Sequence, residues 1–154
     1  MRLSTKGRYA VTAMFDLAMH FPTGRPLTAK EIAVRHKISF AYIEQLLLLL
    51  RKAGLVNTIR GPNGGYVLSR SPSQVNLGDI VRATEGPIGL VVCVAEGMSV
   101  SDCETVPTCC SVRSLWENLN QKIANVFDST TLADMCTHTI ASKLHMPVGA
   151  GALN

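Results

Sequence analysis

The chain has 154 residues, of which 47% are hydrophobic and 17% are charged, so it is long enough to bury a core, and its composition excludes wholesale disorder. The formal net charge is +4, but residues 1–70 contain 11 Lys and Arg against 3 acidic residues, or +8, whereas residues 71–154 contain 4 against 8, or −4. An anionic partner is therefore expected for the first half. A two-domain enzyme with separate cofactor and substrate domains is excluded by length.

The first segments predict a helix-turn-helix. A helix is predicted over residues 8–21, and a proline-rich stretch ends it. A short helix follows from Thr28, which forms a capping-box pattern with Glu31. After a turn of about three residues, Ser39 is a candidate N-cap of a longer helix that ends at Gly54. The predicted inward face of this longer helix consists of Phe40, Ile43, Leu46, Leu47 and Leu50.

A β-hairpin wing is predicted directly after the helix-turn-helix. Residues 55–59 and 66–69 have strand-like content, and the glycine-rich turn Arg60–Gly65 joins them. Residues 1–70 are thus predicted to be a winged helix-turn-helix DNA-binding domain that accounts for its own core. The predicted DNA contacts are Ser39, Tyr42, Glu44 and Gln45 in the helix and Arg60, Gly61, Pro62 and Gly64 in the wing.

The second half is predicted to pair two copies of the chain. Residues 71–92 are expected to form a connecting helix, capped by Asn76, and a linker. A dimerisation helix is then predicted over residues 111–135, with its long apolar stripe over residues 111–128, and residues 136–154 are expected to be a flexible tail. The predicted dimer contacts are Leu115, Trp116, Leu119, Ile123 and Val126. A symmetric dimer predicts a near-palindromic operator in double-stranded DNA.

Four of the five cysteines, Cys93, Cys103, Cys109 and Cys110, fall within 18 residues, and Cys136 stands apart with an expected structural role. The spacing does not match the short cysteine pairs of structural zinc sites. An iron–sulfur cluster held by a cysteine-rich loop at residues 93–110 is favoured. The alternative is a cluster-free regulator whose signal is its cysteine thiols, a partner or an effector. Neither a paired acid and base nor a phosphate-binding loop is recognised, so an enzyme is not expected.

Localisation is predicted from the N-terminal segment and from the lengths of the apolar runs. Charged residues interrupt the first 16 positions, so that no signal peptide is recognised. Uncharged apolar runs are shorter than the about 20 residues of a membrane helix. A cytoplasmic protein with no membrane partner is expected.

Several of these motifs together closely resemble the IscR/NsrR-type family of winged-helix transcription regulators. The resemblance rests on residues 1–11, the segment Ile43–Leu46, the wing motif from Val56 to Tyr66, and Leu115-Trp116 after the cysteines. It covers about residues 1–135. It implies a mainly α-helical fold with a small β-hairpin wing and a long dimerisation helix, and a homodimeric transcription regulator. Many members of the family hold a 2Fe–2S or 4Fe–4S cluster through three cysteines that precede the dimerisation helix; a 2Fe–2S cluster is favoured here.

The resemblance also assigns the ligands in part. Cys93 and Cys103 match the first two cysteines, whereas the third is either Cys109 or Cys110. Where the iron–sulfur regulator of the family has a histidine as fourth ligand, this chain has Val112 or Arg113, and neither is an ordinary ligand of iron. The alternatives for the fourth ligand are the spare cysteine of the pair, Asp102, Glu104 or a group of the partner subunit.

Overall fold

The structure, a computed structural model, describes residues 3–99 and 112–137. It is mainly α-helical with one antiparallel hairpin, as predicted. Within the described ranges, no helix is both long and apolar enough to span a membrane. The elements are α1 (Thr5–His20), α2 (Ala29–His36), α3 (Phe40–Lys52), β1 (Val56–Ile59), β2 (Gly65–Leu68), α4 (Leu77–Glu85) and α5 (Arg113–Ser129). Short 3₁₀ turns cover Phe21–Thr23, Pro72–Gln74 and Val92–Val94, and residues 132–137 are helical.

Side-chain caps fix the starts of the first four helices. The Ser4 hydroxyl accepts a hydrogen bond from the Lys6 N–H at 3.1 Å, so α1 begins three residues before the predicted start. The predicted capping box of α2 is present, with the Glu31 carboxylate accepting from the Thr28 N–H at 2.8 Å. Ser39 and Asn76 cap α3 and α4 as predicted. These caps pair N–H groups that the first helical turn leaves without partners.

The main core extends beyond the helix-turn-helix and the hairpin. Val75, Ile80 and Leu132 are buried in the same cluster as the apolar faces of α1 and α3. The expectation that the first 70 residues account for their own core is therefore wrong. Phe40, predicted to face inward, is 49% exposed. As the first residue of α3 it has no preceding helical turn that its side chain could cover, which agrees with its exposure.

A second, smaller cluster joins α4 to α5. Val81, Ile88 and Ala124 are buried there, and Ile123 and Phe127 pack against them. The long helix is therefore anchored on its own chain along one side. This packing connects the segment after α4, which carries Cys93, to the middle of α5.

Candidate DNA interface and sensor segment

The helix-turn-helix is fixed to α1 through a buried carboxylate. Asp16, only 5% exposed, accepts hydrogen bonds from Arg35 at 2.9 Å and from Nε2 of His36 at 2.7 Å. Both partners lie in the last turn of α2, directly before the turn to α3. Lys37 begins that turn in the left-handed region, with a φ of 55°. The position of α2 against α1 is thus fixed by polar contacts as well as by the core.

The outward face of α3 is a stripe of four exposed side chains: Ala41, Glu44, Gln45 and Leu48. They recur at intervals of three and four residues, so they lie along one side of the helix. The opposite side is buried, as predicted, through Ile43, Leu46, Leu47 and Leu50. Among the described residues, this side of α3 is exposed, and it contains the two predicted base contacts Glu44 and Gln45.

The other two predicted contacts on α3 have roles inside the fold. The Ser39 hydroxyl accepts from the Tyr42 N–H at 3.3 Å, and this hydrogen bond caps the helix. The Tyr42 ring is half-buried and packs edge-on against Tyr9, with the ring centroids 6.0 Å apart. Both residues lie at the amino end of α3, where DNA contacts stay a prediction, but each also stabilises the position of the helix.

The wing is a tight hairpin that is joined to the segment before α2. Val56 pairs with Leu68 and Ile59 with Gly65. Tyr66 and Leu27 exchange two backbone hydrogen bonds of 3.0 and 2.8 Å, which attach the hairpin to the helix-turn-helix. These contacts fix the wing relative to α2 and α3.

The tip of the wing requires glycine. A Cβ on Gly64 would lie 2.3 Å from the Ile59 carbonyl oxygen, and Gly61 has a φ of 114°. Arg60, Gly61 and Pro62 are exposed at this tip, and Gly64 is half-buried. The predicted wing contacts therefore lie together.

Most described basic residues of the first half form no ion pair with another described residue, whereas Arg82 and Arg113 of the second half each pair with an acidic residue. Arg70, at the end of the first half, pairs with Asp79. In the first half, Arg25 and Arg35 pair with Glu31 and Asp16. The remaining described basic residues of the first half form no ion pair with another described residue; they are Lys6, Arg8, Lys30, Lys37, Arg51, Lys52 and Arg60. Unpaired cations beside α3 and the wing favour binding to a polyanion.

Cys93 lies half-buried in the 3₁₀ turn Val92–Val94, and a buried amide of α5 holds this turn in place. The amide is that of Asn120, which is 7% exposed. Its Oδ1 accepts from the Leu90 N–H at 3.1 Å, and its Nδ2 donates to the carbonyls of Val94 at 3.0 Å and Ile88 at 3.4 Å. These hydrogen bonds connect the segment 88–94 to α5. Asn120 was not among the residues predicted from the sequence, although an asparagine beside the apolar positions of a helix is a usable signal.

A second polar connection joins this segment to α4 and α5. Arg82 on α4 forms hydrogen bonds with Glu96 and with Asp128 near the end of α5. Its guanidinium lowers the pKa of both carboxyls below their usual range, and the two carboxylates raise the pKa of Arg82. Glu96 also accepts from the Ile88 N–H at 3.3 Å. The residues that flank Cys93 are therefore fixed at two places.

Of the predicted cluster ligands, only Cys93 lies within the described residues; Cys103, Cys109 and Cys110 lie outside them. Accordingly, no group of three or more potential metal ligands occurs in the described part of the chain. Arg113 donates through Nε to Glu117 at 2.7 Å, while its Nη1 is buried without a partner among the described residues. Within the described part of the chain, this cationic donor at the amino end of α5 is therefore unsatisfied, and in the sequence it follows Cys109 and Cys110 by three or four residues. Thiolate donors and a nearby cation in the sequence fit the chemistry of an anionic iron–sulfur cluster.

The apolar residues of α5 divide between two faces. Leu115 and Val126 are 54% and 60% exposed, and Leu119, between them at helical spacing, is half-buried. Ile123, in contrast, packs against α4 of its own chain, and Trp116 is half-buried. The five predicted dimer contacts therefore do not form one uniform surface.

Cys136 packs against the main core. Burial raises the pKa of its thiol, which lowers the fraction of reactive thiolate near neutral pH. An inert packing role agrees with its separation from the other cysteines.

Known proteins match this chain along most of its length. The family model described as "Rrf2: Iron-dependent Transcriptional regulator" matches residues 3–138. The transcriptional regulator IscR of Klebsiella pneumoniae is 37% identical over 135 residues, which cover 88% of this chain and 79% of that protein. The structure of CymR, described as the global cysteine regulator of B. subtilis, has a TM-score of 0.73 and 40% identity and covers 90% of this chain and 98% of that chain. The structure of T. potens IscR has a TM-score of 0.69 and 41% identity, and the match covers 97% of this chain and 94% of that chain.

Proposed function

Because the chain belongs to the Rrf2 family of transcriptional regulators and is a DNA-binding regulator, we propose that it acts as a homodimer whose operator binding is controlled by an iron–sulfur cluster. The observation that carries the DNA-binding surface is that one face of α3 and Arg60 at the wing tip are both exposed among the described residues. Helix α3 enters the major groove, and the wing contacts the minor groove or the backbone.

The proposed contacts differ in what they read. Gln45 is suited to hydrogen bonding with adenine, and Glu44 to accepting from cytosine N4 or rejecting other bases. Arg60 follows the strand and precedes Gly61, so its guanidinium reaches a narrow minor groove or a phosphate. Ser39 and Tyr42 contact the backbone at the amino end of α3 while they keep their roles in the fold.

The proposed dimer contact is the exposed side of α5. Leu115, Leu119, Lys122 and Val126 follow the alternating spacing of four and three residues that is typical of paired helices. Of the apolar side chains in this series, Leu115 and Val126 are more than half exposed in a single chain, and a second copy buries them. A two-fold axis through this contact places two α3 helices on successive half-sites of a near-palindromic operator.

Cys93, Cys103 and one or both of Cys109 and Cys110 are the proposed cluster ligands, with 2Fe–2S favoured and 4Fe–4S as the alternative. When bound, the cluster supplies a group whose loss, oxidation or reaction with nitric oxide reports iron supply or redox stress. Arg113, at the amino end of α5, balances the negative charge of the thiolates. Support comes from the Nη1 of Arg113, which has no partner among the described residues, and from the likeness to IscR.

A continuous set of contacts offers a route from the cysteine segment to the DNA-binding surface. Asn120 and Arg82 connect the segment around Cys93 to α5 and α4. Glu85, the last residue of α4, accepts from the Gly7 N–H at 2.7 Å and so holds the start of α1. Asp16 of α1 in turn holds α2 through Arg35 and His36. A change around Cys93 that moves α4 therefore shifts the helix-turn-helix. A coupling free energy of a few kcal/mol between the two sites is sufficient to change operator occupancy.

The test is anaerobic purification followed by a visible spectrum and determination of iron and sulfide. The proposal expects a coloured protein with iron and sulfide in proportion, and loss of both in the Cys93→Ala variant. Cys136→Ala is the matched control, since its thiol packs on the core and is expected to leave the cluster content unchanged.

A regulator that uses its thiols without a cluster is the second candidate. The likeness to CymR, described as a global cysteine regulator, favours it. A colourless, iron-free protein that binds DNA and changes affinity on oxidation of its cysteines would support this candidate instead.

A further inference from the structure

The exposed stripe of α3 contains two apolar side chains that lie outside the buried core. Ala41 and Leu48 are exposed, and Leu48 retains 41% of its accessible surface. They lie on the same side as Glu44 and Gln45, seven residues apart, which is about 10 Å along the helix axis. Lys52 extends the stripe by one further turn and is also exposed.

An apolar side chain on a surface that binds DNA needs an apolar group on the DNA. In the major groove the base pairs present one such group, the C5-methyl group of thymine. The separation of Ala41 and Leu48 corresponds to about three base-pair steps at about 3.4 Å per step. Ala41 has only a methyl group and lies in the first turn, so it allows the amino end of the helix to approach the bases closely.

We propose that Ala41 and Leu48 contact thymine methyl groups in each half-site, so that the operator is read by apolar contacts as well as by Glu44 and Gln45. This inference rests on the proposed function, since it requires α3 in the major groove. A protein partner for the stripe is the competing reading. DNA is favoured because the two apolar residues flank a pair of polar residues suited to base edges, and because Lys52 and Arg51 nearby form no ion pair within the described part of the chain.

The experiment removes methyl groups from the DNA and apolar atoms from the protein separately. The full-length protein selects a high-affinity duplex from a randomised pool, and each thymine of the half-site is then replaced by deoxyuridine, which removes one methyl group and leaves the polar edges unchanged. Binding is measured for the unchanged chain, Leu48→Ala and Ala41→Gly. Leu48→Ala keeps a strong helix former, so a folded variant is expected, and circular dichroism checks both variants.

The proposal expects that deoxyuridine at two positions per half-site weakens binding by about four-fold each. One methylene-sized contact of about 0.8 kcal/mol corresponds to that ratio at 1.4 kcal/mol per tenfold. Leu48→Ala should remove the effect at one position and Ala41→Gly at the other, as a double-mutant cycle shows.

Three results would overturn the inference. Binding unchanged by every deoxyuridine replacement would show that no methyl group is read. An equal loss in the unchanged chain and in both variants would place the methyl contacts elsewhere on the protein. A change in oligomeric state with unchanged operator affinity in Leu48→Ala would identify the stripe as a protein-binding surface. Failure to select any DNA sequence would instead contradict the proposed function, so the two failures are distinguishable.

Discussion

Replacement of Asn120 by alanine tests how firmly residues 88–94, which include Cys93, are joined to α5. The change removes three hydrogen bonds, to the Leu90 N–H and to the carbonyls of Val94 and Ile88, at distances of 3.1, 3.0 and 3.4 Å. A net contribution of about 1 kcal/mol per bond gives an upper value of about 3 kcal/mol. Leu90 and Val94 are half-buried, so water replaces part of the loss. The free energy of unfolding should therefore fall by about 2–3 kcal/mol.

The assay is urea unfolding of the cluster-free protein, monitored by circular dichroism. All variants are compared at one protein concentration, because the stability of a dimer depends on concentration. Asn125→Ala is the matched control: it is the same change on the same helix, but Asn125 is exposed and bonds only to Gln121 among the contacts described. Its effect should stay within about 0.5 kcal/mol. Hydrogen exchange should also quicken at the Leu90 amide in Asn120→Ala alone.

The connection by Asn120 would be refuted if the two variants had equal stabilities and the Leu90 amide kept its protection. If the connection also carries the signal, Asn120→Ala should reduce the ratio of operator affinities between the cluster-loaded and cluster-free forms. Asn125→Ala should leave that ratio unchanged.

Three further changes address the wing, the dimer and the acid sensitivity of the fold. Arg60→Ala should weaken operator binding by about 1–3 kcal/mol without altering the dimer in sedimentation, and unchanged affinity would remove Arg60 from the contact surface. Leu115→Glu places a charge on the exposed seam of α5 and should yield a folded monomer in light scattering; a persistent dimer would locate the contact elsewhere. Arg82 lowers the pKa of Glu96 and Asp128, so their stabilising effect is fully present above the ordinary carboxyl pKa of about 4 and is lost as the pH falls through the lowered values. Arg82→Met should remove this part of the acid sensitivity in unfolding curves recorded between pH 6 and about 2; an unchanged pH profile would argue against the network.

Local signals in the sequence were sufficient for most of the fold. The Thr28–Glu31 capping box, the Ser39 cap and the buried stripe of α3 are all present, because each depends on residues within one or two helical turns. The tight turn at Gly61 and Gly64 was predictable for the same reason.

Periodicity shows which face of a helix is apolar, but it does not show what covers that face. Ile123 and Leu115 have the same hydrophobic character, yet Ile123 packs on α4 while Leu115 is exposed. Likewise, Val75 and Leu132 close a core that residues 1–70 were expected to complete. Both outcomes depend on contacts between segments far apart in the chain.

For the candidate site, the sequence predicted which side chains are exposed, but not all of the hydrogen bonds that hold its parts together. The exposure of Glu44, Gln45 and Arg60 follows from their positions off the apolar stripe and at a turn. Asn120 and Arg82 were not identified, since their partners are backbone groups and carboxylates that come close only after α5 packs on α4.

In the proposed mechanism, the presence or absence of a cluster on the cysteines of residues 93–110 controls DNA binding. The most direct test of this mechanism is the affinity of the full chain for a selected operator duplex, measured without oxygen, before and after removal of iron with a chelator. We expect at least a tenfold difference in affinity, about 1.4 kcal/mol, and no such difference in Cys93→Ala. Equal affinities of the iron-loaded and iron-free forms for every selected operator would contradict it.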